Sequence, residues 1–155
     1  MKIQTDIDCA IATEENVLIS GGDAAARAAL ARLIHERSSK KHRSWVVLSN
    51  KSSIQASSEP DGAPLVLDAA GRTLFIEELA ALDGPEQDNL MRLLEAGVDA
   101  LIDDDRETRI ISGTAHNPMA RLDSRLFDTG LFYRLNIIHI ALDDERRLAS
   151  PSTVH

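Results

Sequence analysis

The chain has one cysteine, Cys9, few aromatic residues and no long apolar run. One thiol excludes a disulfide framework and a cysteine-built metal centre. Aromatic residues at 3% leave the core to aliphatic side chains and alanine. No stretch approaches the roughly 20 apolar residues of a membrane helix, and the opening MKIQTDIDCAIATEEN carries acids where a signal peptide needs an apolar segment. Positive charge is also scarce. A formal net charge of −8 and a pI near 5.0 argue against direct binding of nucleic acid or an anionic membrane. The compact basic run Lys40-Lys41-His42-Arg43 reads as a solvated helix end and loop. His35, His42, His116, His139 and His155 lack metal-ligand spacing, and each is expected at a polar or helix-surface position. No Ser-His-Asp or Cys-His arrangement follows from spacing. A soluble cytoplasmic protein is the expectation.

What is present fits a single globular domain. A length of 155 residues, 43% hydrophobic and 27% charged, is enough to bury a real core. The domain is expected over residues 1–143, with a polar tail at 144–155. Its organising stretch is residues 17–36, VLISGGDAAARAALARLIHE. Residues 16–20 form a β-type apolar run, Gly21-Gly22 a turn, and a helix is predicted over 23–37. Ala26, Leu30, Leu33 and Ile34 would supply its apolar face.

Strand, glycine turn and helix are the frame of a phosphate-binding P-loop. A Walker A loop is GxxxxGK[ST], because glycines let backbone N–H groups surround phosphate and a lysine reaches it. Here the span reads Gly21-Gly22-Asp23-Ala24-Ala25-Ala26-Arg27-Ala28. Ala26 replaces the second glycine, Arg27 the lysine and Ala28 the hydroxyl residue. Arg27 keeps a positive charge, but as a planar fork rather than a compact ammonium. Asp23 suits a helix N-cap and would meet a triphosphate as anion against anion. The three alanines favour an extra helical turn that fills the cradle.

Further strands are predicted over 44–50 (buried), 64–68, 72–77, 108–113 and 135–142, and the alternation of Ile3, Ile7, Cys9 and Ile11 with polar residues allows one near the N-terminus. Residues 51–63 read as a loop or short helix and Asp103-Asp104-Asp105-Arg106 as a charged loop. Asp83-Gly84-Pro85 is a turn, with Pro85 suited to open a helix over 86–97 that carries Leu90, Leu93 and Leu94 and stops at Gly97. Asn117-Pro118 starts another helix, with Met119, Leu122 and Leu126 on one side. Strands alternating with helices imply a parallel sheet covered on both faces.

Residues 17–35 resemble, without a gap, the Walker A segment VLITGESGTGKELVARAIH of sigma-54-dependent transcription activators of the NtrC-like AAA+ class. The residues outside the phosphate cradle match. Residues 71–79, GRTLFIEEL, are similar to the Walker B segment GGTLFLDEI; the resemblance puts Glu77 at the metal-binding aspartate and Glu78 at the catalytic glutamate. Two acids on a solvated strand edge are the plainer alternative. Residues 87–98 resemble the following helix QxxLLRVLEEGEV. Residues 109–116, RIISGTAH, resemble RIIAATN, with Thr114 as the sensor I threonine and Ala115 at the asparagine. Residues 127–136, FDTGLFYRLN, resemble FREDLYYRLN. That segment carries two arginine fingers, of which Arg134 remains and Asp128 replaces the other, while Gly130 replaces the acidic residue. For Arg134 alone a surface salt bridge is an equal expectation.

The resemblance implies an AAA+ core: a parallel five-stranded sheet flanked by helices, in strand order 5-1-4-3-2. Residues 51–70 leave no room for the long insertion with the GAFTGA loop that grips sigma-54, and the helical lid would begin after Asp143. The implied function is a non-catalytic regulatory module of bacterial transcription, whose partner is an intact AAA+ activator or a second copy of the chain. No cofactor is expected. The alternative is a nucleotide sensor or weak ATPase that binds ATP and Mg²⁺ at Gly21, Gly22, Asp23 and Arg27 and works through Glu78. A folded remnant without a dedicated partner is a third expectation.

Overall fold

The computed structural model describes residues 2–39, 41–48, 72–96, 108–116 and 127–142. These build a five-stranded sheet of β1 (Val17–Ser20), β2 (Trp45–Leu48), β3 (Thr73–Ile76), β4 (Arg109–Thr114) and β5 (Ile138–Ala141). Every pairing is parallel, and the order β2-β3-β4-β1-β5 is the expected one read from the opposite edge. Strands β1, β3 and β4 are buried along their whole length, as parallel strands covered on both faces must be.

Side chains alternate across each strand, so each inner strand feeds two cores. Leu18, Leu74, Ile76 and Ile110 face α3 (Gly84–Ala96) and α4 (Thr129–Leu135), where Leu90, Leu93, Leu131 and Leu135 meet them. Val17, Ile19, Phe75, Ile111 and Ile140 face α1 (Lys2–Ala12) and α2 (Ala24–Arg37), against Ile3, Ala10, Ala31 and Ile34. The result is a helix–sheet–helix sandwich.

Four local expectations need correcting. The N-terminal strand expected from alternation is the helix α1: Ile3, Ile7, Ala10 and Ile11 fall on one helical face and pack on the α2 side of the sheet. Small, weakly hydrophobic Ala10 hides that period in the sequence. In α2 the buried residues are Arg27, Ala31, Ile34 and His35, whereas Ala26 is exposed and Leu30 and Leu33 are half-buried. The inward face is therefore one residue later than the aliphatic spacing suggests. Strand β2 lies at a sheet edge, and Val47 is exposed rather than buried. Pro85 is the second residue of α3, after Gly84.

Helix α3 opens on a reciprocal cap: Glu86 N donates to Asp83 Oδ1 and Asp83 N to Glu86 Oε1, each at 2.9 Å. The expected features at residues 51–63, 64–68, 97, 103–106, 117–126 and 144–155 lie outside the described residues.

Candidate functional site at the carboxyl edge of the sheet

Parallel α/β sheets bind ligands beyond the carboxyl ends of their strands, and most of the residues singled out in the sequence gather there. Gly21 and Gly22 turn the chain out of β1 at φ 79° and 64°. A Cβ on Gly22 would stand 2.9 Å from Leu142 Cδ1, the mobile end of a side chain, and it is the positive φ that calls for glycine. Gly21 N donates to Thr114 O at 3.0 Å, which fastens the turn to the end of β4. Helix α2 then begins at Ala24, three positions before Arg27. Asp23 caps it, accepting from Ala26 N at 2.7 Å. The alanines thus continue the helix into the turn, as their propensity suggests.

Arg27 lies 5% exposed with its guanidinium folded back over the turn. Its Nη1 donates to Gly21 O and to Gly22 O, both at 2.9 Å. The stem passes Gly113, where an added Cβ would be 3.5 Å from Arg27 Cδ and Nε and 3.1 Å from Glu77 O. Gly113 therefore leaves room for the Arg27 stem beside the end of β4. Arg27 Nε is buried without a hydrogen-bond partner.

Glu77 and Glu78 are half-buried at the end of β3. Glu78 Oε2 accepts from Ala80 N at 2.9 Å and Oε1 from Ala115 N at 2.8 Å. Each carboxylate oxygen thus holds a backbone amide, one in the 3₁₀ turn Leu79–Ala81 and one just beyond β4. Glu78 is neither a free base nor a merely solvated acid. Thr114 is buried, and its Oγ1 accepts from His116 N at 3.2 Å. On the neighbouring strand pair, Ser20 Oγ and His139 Nε2 lie 2.7 Å apart.

Arg134 is not part of this cluster. It is exposed on α4, and its carbonyl accepts from Asn16 Nδ2 at 3.0 Å beside the amino end of β1. The salt bridge weighed for it is absent among the described residues. Asp128 caps α4 by accepting from Leu131 N at 2.8 Å. Among the described residues no group of three or more His, Cys, Asp and Glu could hold a metal, and no helix is long and apolar enough to cross a membrane.

One histidine departs from the expected polar or helix-surface role, and two polar anchors carry no signal in the sequence. His35 is 3% exposed, not on a polar surface; its ring lies 5.1 Å from Trp45, which stacks on Phe75 at 5.7 Å. Burial first, then the Arg32 cation, lowers its pKa below 6.5. His139 is half-buried against Ser20. Arg109 is buried and donates from Nη2 to Ala10 O at 2.6 Å and from Nε to Glu15 O at 3.0 Å. Asn16 Oδ1 accepts from Ile110 N at 2.9 Å. No spacing signal marks either anchor, because both act on backbone groups distant in sequence.

Comparison with known proteins places this arrangement. The structure is similar to that of NtrX from Brucella abortus, solved in complex with ATP, with a TM-score of 0.73 at 23% identity over 90% of this chain and 34% of that one. In sequence the chain is 31% identical to a limonene hydroxylase of Geobacillus stearothermophilus over 152 residues, covering 83% of this chain. It is 24% identical to the regulatory protein LuxO of Vibrio cholerae over 159 residues, covering 90% of this chain. The chain spans 28% and 30% of the lengths of those two relatives. Its fold is that of the P-loop NTPases of AAA+ type. The sigma-54 interaction domain profile matches residues 55–141, a span that includes Glu77, Glu78, Thr114 and Arg134, and the chain belongs to that family.

Proposed function

We propose that this chain is a non-catalytic protein-interaction module of bacterial transcription control, built on an AAA+ core that does not turn over ATP. The observation that carries the reading is the Arg27 side chain, bonded to the carbonyls of Gly21 and Gly22 at the position where a P-loop lysine would reach phosphate. Three supports stand beside it. Asp23 holds a negative charge at the mouth of the turn, Ala28 has no hydroxyl for Mg²⁺, and both oxygens of Glu78 are committed to backbone amides. As arranged, these residues do not fit Mg²⁺-ATP.

The partner in this reading is a protein: an intact AAA+ transcription activator, with a second copy of the chain as the other candidate. Arg134 marks the contact surface, flanked by Tyr133 at 61% and Ile137 at 52% exposure. Large apolar side chains beside an exposed cation suit a protein interface better than bare solvent. The acidic balance of the whole chain disfavours nucleic acid and membrane as partners.

A nucleotide sensor is the second reading. It is favoured by the positive-φ glycine turn kept at Gly21-Gly22 and by Glu78 at the end of β3. Calorimetry of ATP and ADP with Mg²⁺, run beside thermal melts, decides between the two, since a ligand of the native state must raise its stability. No heat and no shift at millimolar nucleotide is the expected result. Micromolar binding would install the sensor reading instead.

A further inference from the structure

We infer that the turn between β1 and α2 is a cation cradle, with polarity opposite to that of a phosphate loop, and that it takes a guanidinium group, here its own Arg27. A phosphate cradle works because successive backbone N–H groups point inward at an anion. Here the inward groups are carbonyls. Gly21 O and Gly22 O converge on one nitrogen, Arg27 Nη1, each at 2.9 Å. Two carbonyl dipoles aimed at one point form a partial negative site, beside Gly113, where an added Cβ would meet Arg27 Cδ and Nε at 3.5 Å and Glu77 O at 3.1 Å.

Three of the amides near the turn are turned to other uses. Gly21 N donates to Thr114 O, Ala26 N to Asp23 Oδ1 and Arg27 N to Asp23 O. Asp23 adds a formal negative charge beside the turn. The two carbonyls and the Asp23 carboxylate favour a cation here, against the positive end of the α2 dipole. A planar guanidinium is the suited form, because its fork offers several donors from a flat group that fits between strand ends. The unpartnered Nε of Arg27 confines the binding to the outer nitrogens.

The inference rests on the reading that this turn takes no triphosphate, and it goes further by naming the ligand class the turn does take. Its test removes the internal ligand and offers the fragment back. Arg27→Ala is melted alone, with ethylguanidinium at tens of millimolar, and with Mg²⁺-pyrophosphate, against sodium chloride at equal ionic strength. Loss of two charge-assisted hydrogen bonds lowers Tm by about 5 °C or more. Ethylguanidinium then restores several degrees to Arg27→Ala by mass action and none to the wild-type chain, where the cradle is filled, while pyrophosphate restores nothing.

An Arg27→Ala variant as stable as wild type, or one stabilised by pyrophosphate and not by ethylguanidinium, overturns the inference. Should Arg27→Ala fail to fold, ¹⁵N-arginine labelling of the wild-type chain serves. Separate Nη signals for Arg27, protected from water exchange at pH 7, are expected, and a single rapidly exchanging signal would refute the cradle. Failure here leaves ATP calorimetry on the wild-type chain untouched, so the two readings fall separately.

Discussion

The carboxylate of Glu78 accepts the backbone N–H of Ala115 at 2.8 Å, so a side chain at the end of β3 is fastened to the backbone just past β4. Its other oxygen holds Ala80 N at 2.9 Å, and the two bonds together fix the 3₁₀ turn against the sheet. A residue that the resemblance puts at the catalytic glutamate, and that otherwise reads as a solvated acid, here bonds two backbone amides as a clamp between strands.

That assignment makes Glu78→Gln informative. The amide keeps one accepting oxygen and turns an NH₂ toward a backbone N–H, so one bond becomes a donor–donor clash. Urea denaturation at pH 7 is expected to show a loss of about 1–3 kcal/mol. An unchanged midpoint would mean that the carboxylate bonds add nothing, and the clamp would have to be abandoned.

His35 ties stability to pH. Burial and the neighbouring Arg32 disfavour its charged form, so the folded-state pKa lies below the unfolded value near 6.5. Below that value the unfolded chain binds a proton that the folded chain resists, and stability falls as pH falls. It is fully present above about pH 6.5 and is lost as pH drops from there through the lowered folded pKa. Replacing His35 by Phe keeps a ring against Trp45 and removes this contribution. Urea midpoints compared at pH 7.5 and 5.5 should diverge less in His35→Phe than in wild type; equal divergence would clear His35 of the effect.

The same residue shows where the sequence was legible and where it was not. The frame of β1, glycine turn and α2 is strongly local: an apolar run, two glycines, a capping acid and helix-forming alanines agree with one another. The sheet order was reached through the resemblance. The phase of α2 departs from its aliphatic spacing: Ala26 is exposed and Leu30 and Leu33 are half-buried, while two polar residues, Arg27 and His35, are buried. Their burial depends on carbonyls at Gly21 and Gly22 and on the Trp45 ring, none of which a helical period encodes. Helix α1 was missed because Ile3, Ile7 and Ile11 fit both periods and the discriminating residue is a single alanine. Glu77, Glu78, Thr114 and the Gly21–Arg27 turn were found together because strand ends converge at one edge; Arg134 stands apart at the other.

Two glycines should respond in opposite directions to alanine. Gly22 has φ +64°, and an added methyl would lie 2.9 Å from Leu142, so Gly22→Ala should cost at least about 1–2 kcal/mol. Gly84 opens α3 with nothing within 4 Å of the position a Cβ would take. There the substitution mainly restricts the unfolded chain and should stabilise by about 0.4–1 kcal/mol. Thermal melts of both variants check the pair, and shifts of the same sign would refute the contrast.

Arg109 offers the sharpest separation of local from global stability. Its guanidinium is buried, and burial, opposed by Glu14 and Glu15, lowers a pKa so high that the group stays charged. It bonds Ala10 O, near the end of α1, and Glu15 O, in the segment leading to β1, thereby joining that helix to the first residue of β4. Lysine in its place retains the charge but cannot present a rigid fork to two carbonyls so placed. Arg109→Lys should therefore loosen α1 first. Amide hydrogen exchange in residues 6–12 is expected to quicken by about tenfold or more, the equivalent of about 1.4 kcal/mol, while Leu18 and Ile111 in the central strands keep most of their protection. Uniform acceleration across helix and strands would instead make Arg109 part of one cooperative core. Unchanged exchange in α1 would show that the apolar contacts of Ile3, Ile7 and Ile11 hold the helix by themselves.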